Sequence, residues 1–305
     1  MQEATEDRVK ELERRVPGIR SLLKFASRAF VIEFAGTPKS GKTTSIEAVR
    51  HFFVRHGFRV HVLRERASFC PIPMKGHLFF NTWCAASMLA ELLANVETET
   101  DIIIVDRGLF DALVWLALQE KRSELTANEA RTIESFLLLE RWRDLVDLAV
   151  VMNVSAEEAI RRENSQRITQ TDGSIMNPEV LTAVTDCVDS AVKKYRTRFR
   201  ALIDHATTGQ EVRESLVDLA NRILSELQEF LNPEILVVPR RYIASLSLDG
   251  GGAFGKDAIE AALDCIQSCG RFMRRDEAEE DFEYVQIFPC GVLRYKRQVF
   301  LFTTV

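Results

Sequence analysis

The segment GTPKSGKT, Gly36 to Thr43, follows an apolar run, AFVIEFA at 29–35, and precedes a helix-like run, SIEAVRHFFVRHG. The spacing G-x4-G-K-[ST] between a strand and a helix constrains this chain more than any other feature. Small residues let the backbone curl so that several N–H groups converge on one anion. The helix that follows adds the partial positive charge of its N-terminus. Lys42 supplies a mobile cation, and the Thr43 hydroxyl is a hard oxygen donor suited to Mg²⁺. Gly36, Thr37, Pro38, Lys39, Ser40, Gly41, Lys42, Thr43 and Thr44 therefore read as a phosphate-binding loop (P-loop) for ATP with Mg²⁺.

Further strand-like runs follow: FRVHVLRE at 58–65, DIIIVDRG at 101–108 and DLAVVMNVS at 147–155. Helical periodicity separates them, over 77–97 and 127–145, then from Ser155, whose S-x-x-E spacing to Glu158 is a capping-box pattern. A long helix is predicted from Pro178 to about His205, and another from about Gln210 to Leu231. Strands alternating with helices imply an α/β fold, a three-layer P-loop NTPase architecture with a parallel sheet. In such sheets ligands sit beyond the carboxyl ends of the strands. Asp106 and Arg107 stand at one such end, where a carboxylate can hold Mg²⁺ and a guanidinium can clamp phosphate oxygens. Arg64, Glu65 and Arg66 stand at another: Glu65 as proton acceptor or water-mediated metal ligand, either arginine as a phosphate contact.

Residues 1–28 form a helical extension, with Val9, Leu12, Val16, Ile19, Leu22 and Leu23 at helical spacing and Pro17 as a break or a new first turn. The alternating pattern stops at Asn232-Pro233, so the P-loop domain is expected over 29–232 and a smaller C-terminal α+β piece over 233–305. That piece holds a strand, EILVVP, a glycine turn at Gly250 to Gly252, a helix around 256–274, and two closing strands, FEYVQIFPCGVLRY and QVFLFTTV. The net charge of −5 argues against a broad basic surface for nucleic acid. Six cysteines without a CxxC pair argue against zinc or a disulfide framework. The charged N-terminus lacks a secretory signal and no run is long enough to span a membrane, so a cytoplasmic protein is expected.

GTPKSGKTT at 36–44, LRER at 63–66, VDRG at 105–108, DLAVVMNVSAEEAIRR at 147–162 and ATTG at 206–209 together resemble the thymidylate kinase and deoxynucleoside kinase group, over about residues 29–232. The resemblance implies a phosphotransferase acting on a nucleoside or nucleotide acceptor. It implies that Arg161, Arg162 and Arg167 belong to a lid over the transferring phosphoryl group. Thr207, Thr208 and Gly209 match the loop against adenine, and Phe79, Phe80 and Trp83 fall where the acceptor base is held. Aromatic stacking would suit that place, but at helical spacing these aromatics read more readily as core than as pocket. Glu65-Arg66-Ala67 departs from the Glu-Pro-Gly turn of thymidylate kinases, and Gly108 from the residues usual after Asp-Arg, so the acceptor stays unassigned. The C-terminal YVQIFPCGVLRYKRQVFLF faintly resembles the opening strands of a Nudix hydrolase, with no Nudix box after it. A second reading is a nucleotide-dependent switch or regulatory ATPase working through its terminal extensions. A homodimer stays open.

Overall fold

The computed structural model describes residues 2–74, 76–166, 168, 175–243, 256–287, 292–295 and 298–301. The chain divides into two compact units, Met1–Leu227 and Gln228–Val305.

In the first unit α1 (Gln2–Ser21) buries Leu12, Val16 and Ile19. It runs on through Pro17, where a break or a new first turn was expected, with Val16 and Ile19 buried on either side. Arg8 and Glu6 pair with Asp218 and Arg213, more than 200 residues away. There follow β1 (Phe30–Gly36), α2 (Lys42–Arg55), β2 (Val60–Leu63), α3 (Leu78–Asn95), β3 (Ile102–Asp106), α4 (Leu109–Lys121), α5 (Ala127–Leu137), the single turn α6 (Glu140–Arg143), β4 (Leu148–Asn153), α7 (Ala156–Gln166), α8 (Pro178–Tyr195), β5 (Ala201–Ala206) and α9 (Val212–Leu231).

The five strands form one parallel sheet in the order β2-β3-β1-β4-β5. β1, β3 and β4 are inner strands covered on both faces, which is why they read as nearly continuous apolar runs. On one face Val31, Ala35, Ile103, Val105, Ala149 and Val151 pack with α3, α4 and α8. By alternation Ile32, Phe34, Ile104 and Val150 point to the opposite face, which α2 covers with Ile46, Val49 and Phe53. The three-layer α/β P-loop architecture follows.

Three expectations are corrected here. The helix drawn from Pro178 to His205 ends at Tyr195, and Ala201–Ala206 is instead the edge strand β5. Its burial alternates with Ile203 and His205 inward, too short a pattern to outweigh the helical periodicity before it; pairing with β4 decides the matter. The helix expected over 127–145 breaks at Leu138 and Leu139 into α5 and α6. Helix α4 was not foreseen, because LFDALVWLALQEK is apolar round most of its length, with Asp111 buried within it and its other polar residues confined to the C-terminal end, and so carries little stripe.

The second unit contains β6 (Glu234–Pro239), α10 (Arg240–Ile243), α11 (Lys256–Cys269), β7 (Arg271–Arg274), α12 (Arg275–Glu280), β8 (Tyr284–Gln286), β9 (Val292–Tyr295) and β10 (Gln298–Leu301). An antiparallel sheet, β7-β6-β8, centres on β6, while β9 pairs with β10 in a two-stranded sheet. The helix expected to reach residue 274 stops at Cys269. There Gly270 brings the chain so close that a Cβ would lie 2.3 Å from the Ile266 carbonyl oxygen, and β7 begins. The first of the two closing strands is split between the two sheets. The triple glycine at 250–252 lies outside the described residues.

Candidate active site

The carboxyl edge of the sheet gathers the charged groups. β1 ends in Gly36 at φ +121°, where a Cβ would stand 2.0 Å from the Met152 carbonyl oxygen of β4. Only glycine permits that approach. The loop then turns through Lys39 at φ 58° and Gly41 at φ 92° before α2 begins at Lys42. Lys42 is buried, its Nζ donating to the carbonyl oxygens of Gly36 (3.0 Å) and Thr37 (2.6 Å) and to Ser40 Oγ (3.3 Å). Burial, and then the Arg107 cation, lower its pKa to about 7, with Asp111, Asp106 and Glu65 offsetting part of the fall. The Thr37 hydroxyl is turned inward and accepts from Val154 N at 3.0 Å, so only the backbone of Thr37 is available to the loop's cavity. Thr43 and Thr44 are exposed on the first turn of α2.

α7 and the turn after β5 grip this loop from the far side. Arg162 donates to the Lys39 carbonyl (3.0 Å), to Thr207 Oγ1 (3.2 Å) and to the Thr207 carbonyl (2.8 Å). Lys39 pairs with Glu163 at 2.6 Å, and Thr207 Oγ1 donates to the Ser40 carbonyl at 3.1 Å. Thr208 Oγ1 accepts from Ser155 N, and Gly209 turns the chain at φ 69°. The Ser155–Glu158 capping box is half formed: Glu158 N donates to Ser155 Oγ, but the Glu158 carboxylate faces Arg161 and Arg162. Of the two described arginines expected in a lid, Arg162 is the one that reaches the loop here. Arg161 is 72% exposed and pairs with Glu158, one turn back on its own helix, because it stands 100° around that helix from Arg162. Arg167 lies outside the described residues.

On the other side of the P-loop, Arg107 takes a left-handed backbone, φ 63°, with its N–H on the Phe34 carbonyl. Its guanidinium lies between Glu65 Oε1 (2.9 Å) and the Asp111 carboxylate (3.1 Å). Burial works against this cation, but Asp111 and Glu65 more than offset it and raise its pKa above the ordinary arginine value. Asp111 also accepts from Gly36 N (3.2 Å) and Trp115 Nε1 (2.9 Å), so one carboxylate touches both the P-loop and the arginine. Burial pushes the Asp106 carboxyl up to about 6; Arg107 pulls it back and Glu65 pushes it further.

A cleft of about 480 Å³ opens beside these groups. Pro38, Glu65, Arg66, Arg107 and Asp111 line its polar end, and Phe80, Trp115, Leu118, Met176 and Val180 its apolar walls. Asn81 and Gln119 set side-chain amides into the same wall, with Asn81 Nδ2 donating to the Ala112 carbonyl at 3.2 Å. Phe80 lines the cleft. Trp83 and Phe79 are not among its lining: Phe80, Asn81, Cys84 and Ala85 form the inner face of α3, and positions 79 and 83 fall on its other sides. Arg66 lines the cleft but is paired with Glu91 and stacked on Phe69, and the exposed Arg64 does not reach the lining. Asp111, Trp115 and Asn81 were missed. The i,i+4 spacing of Arg107 and Asp111 was the available signal.

The oxygens of Thr43 and Asp106 are a hard donor pair of the kind Mg²⁺ takes. A cation there would relieve the burial that raises the Asp106 pKa. Among the described residues there is no cluster of three or more His, Cys, Asp or Glu to cage a metal by itself. No helix among the described residues is long and apolar enough to cross a membrane.

No protein-family model matches the chain, and no curated protein does. Solved structures of deoxyadenosine kinase from M. mycoides resemble it in architecture. With the products dCMP and a flexible dCDP bound, the TM-score is 0.48 at 15% identity, over 64% of this chain and 99% of that one. With dCTP the values are 0.48 and 14%, and with dATP 0.49 and 15%, each over 64% of this chain and 100% of that one. At such identities the likeness concerns architecture only, and the functional reading rests on the site's own geometry.

Proposed function

We propose that this chain transfers the γ-phosphoryl group of ATP, with Mg²⁺, to a nucleoside or nucleoside monophosphate. The observation that carries the reading is the placement of Arg107. It is fixed between Glu65 and Asp111 at the polar end of an aromatic-walled cleft whose rim includes Pro38 of the P-loop. In this reading a flat heteroaromatic acceptor would lie against the Phe80 and Trp115 walls, with its reactive oxygen toward Arg107 and the P-loop.

In this reading the loop amides and Lys42 hold the triphosphate, and Lys42 exchanges its carbonyl partners for phosphate oxygens. Thr43 and Asp106 would hold Mg²⁺, which when bound neutralises phosphate charge. Arg107 orients the acceptor and stabilises charge on the phosphoryl group; such transfers depend mostly on positioning and electrostatics. For a hydroxyl acceptor the proton passes to the Glu65 carboxylate, which Arg107 keeps beside the cleft. Arg162 works from behind, binding the P-loop to the turn at Thr207, while Thr208 and Gly209 border the nucleotide's base. The domain that performs this is residues 29–232, with 1–28 as a packed extension and 233–305 as an accessory unit.

The test is ADP formation with MgATP across a panel of nucleosides and nucleoside monophosphates, with Lys42→Ala as the control. One acceptor stimulating turnover far above background, and none in the variant, supports the reading. Tight ATP binding without any stimulated turnover overturns it in favour of a nucleotide-dependent switch.

A further inference from the structure

Glu33 stands in the middle of β1 and is 0% exposed, on the face shared with Val31 and Ala35. A carboxylate so placed is costly unless its oxygens are met. Oε1 accepts from two backbone amides, Gly108 N at 3.0 Å and Asp111 N at 2.9 Å. Oε2 has no hydrogen-bond partner among the described residues. It lies against Gly108, where a Cβ would come within 2.9 Å of Glu33 Cδ and Oε2. Glu33 and Gly108 are thus a matched pair: the carboxylate occupies the space a side chain at 108 would fill. The residue opening α4 has no side chain to cap that helix, and the cap comes from a neighbouring strand instead.

The bonds lead onward. The two peptides flanking Arg107 are both tied, the one before it to the Phe34 carbonyl through Arg107 N and the one after it to Glu33 through Gly108 N. That tether helps a non-glycine residue keep φ 63°. The amide of Asp111 is tied to Glu33, and its carboxylate holds Arg107, Gly36 N and Trp115 Nε1. We propose that Glu33 is a positioning residue: by capping α4 through Gly108 and Asp111 it sets Arg107 against the acceptor cleft and joins that cleft to the P-loop. The proposal rests on the phosphotransferase reading for its kinetic consequence, but not for its structural one.

Two readouts on the full chain separate these. The first is structural and needs no activity: the indole N–H resonance of Trp115 and the amide of Gly36. Glu33→Ala is expected to shift both and to leave the Trp142 indole, bonded to the Phe136 carbonyl, in place. Unmoved Trp115 and Gly36 resonances in a folded variant overturn the proposal. The second is kinetic. Displacements near 1 Å cost up to about a hundredfold. Glu33→Ala and Gly108→Ala are therefore each expected to lower acceptor kcat/KM by at least roughly tenfold, with the ATP-analogue Kd changed less than about threefold. Glu33→Gln, which keeps an acceptor oxygen on both amides, is expected to retain most activity. The double Ala variant is expected to exceed Gly108→Ala, because removing the carboxylate removes the clash. Equal losses in acceptor and ATP parameters, or strict additivity, would reduce Glu33 to a folding residue. If wild type phosphorylates nothing in the panel, the phosphotransferase reading falls, and the resonances alone decide for Glu33.

Discussion

Replacing Arg162 by alanine removes three bonds to the loop and turn: to the carbonyls of Lys39 and Thr207 and to Thr207 Oγ1. Bonds from a charged donor contribute roughly 1.5–3 kcal/mol each. The side chain is 23% exposed, so solvent screens part of this. Counting the two carbonyl bonds at the low end and halving for screening leaves about 1.5 kcal/mol for the order of the loop. If that order is needed for the triphosphate, the ATP Kd and KM should rise about tenfold, with kcat falling much less. An arginine held by backbone carbonyls before any substrate binds acts in the ground state. A lid arginine that meets only the transferring phosphoryl group would show the reverse, a fall in kcat at unchanged ATP affinity. The assay is steady-state kinetics with ATP titration by calorimetry, and Arg161→Ala is the control. That side chain is 72% exposed and pairs only with Glu158 in the bonds described above, so its loss should change ATP affinity less than about twofold. Equal effects of the two substitutions, or a pure kcat effect of Arg162→Ala, would refute the clamp.

With a pKa near 7, Lys42 is only partly protonated at pH 7.5, and phosphate oxygens should complete its charge. MgATP binding at that pH should take up roughly half a proton or more, read by calorimetry in buffers of different ionisation enthalpy, and Lys42→Ala should take up none. Glu33 is raised from 4.5 to about 7, so the folded chain holds a proton there that the unfolded chain has released. Its stabilising contribution is complete below 4.5 and lost as pH rises through about 7, an effect of about 3 kcal/mol that urea unfolding of Glu33→Gln should no longer show. Arg28→Ala leaves the fully buried Asp147 with Val31 N and a more distant Arg200, at an expected cost of about 3 kcal/mol in unfolding and no change in kcat. A chain ending at residue 232 should fold and retain transfer activity; a soluble but inactive fragment would assign part of the chemistry to 233–305.

Much of the architecture was legible because it is local. The inner strands announce themselves as β-branched runs, and G-x4-G-K-T between a strand and a helix needs no partner to be recognised. Asp106 and Arg107 at a strand end, and Phe80 on an apolar helix, could be placed for the same reason. What could not be read depended on residues far apart in sequence. Edge strand β5 exists because β4 offers it a ladder, and the largely apolar α4, with Asp111 buried among its apolar residues, has little stripe to betray its period. Whether Arg161 or Arg162 faces the P-loop is a matter of one residue's rotation about a helix, which depends on what packs beside it. The sharpest instance is Gly108, which in sequence is a departure from pattern after Asp-Arg. Its reason lies 75 residues earlier, in a carboxylate on the adjoining strand that needs the space a side chain would take. Hydrophobic period and loop chemistry are properties of neighbouring residues, so sequence alone determined them. Which charge meets which, and which glycine must be a glycine, are decided by contacts that exist only once the sheet has closed.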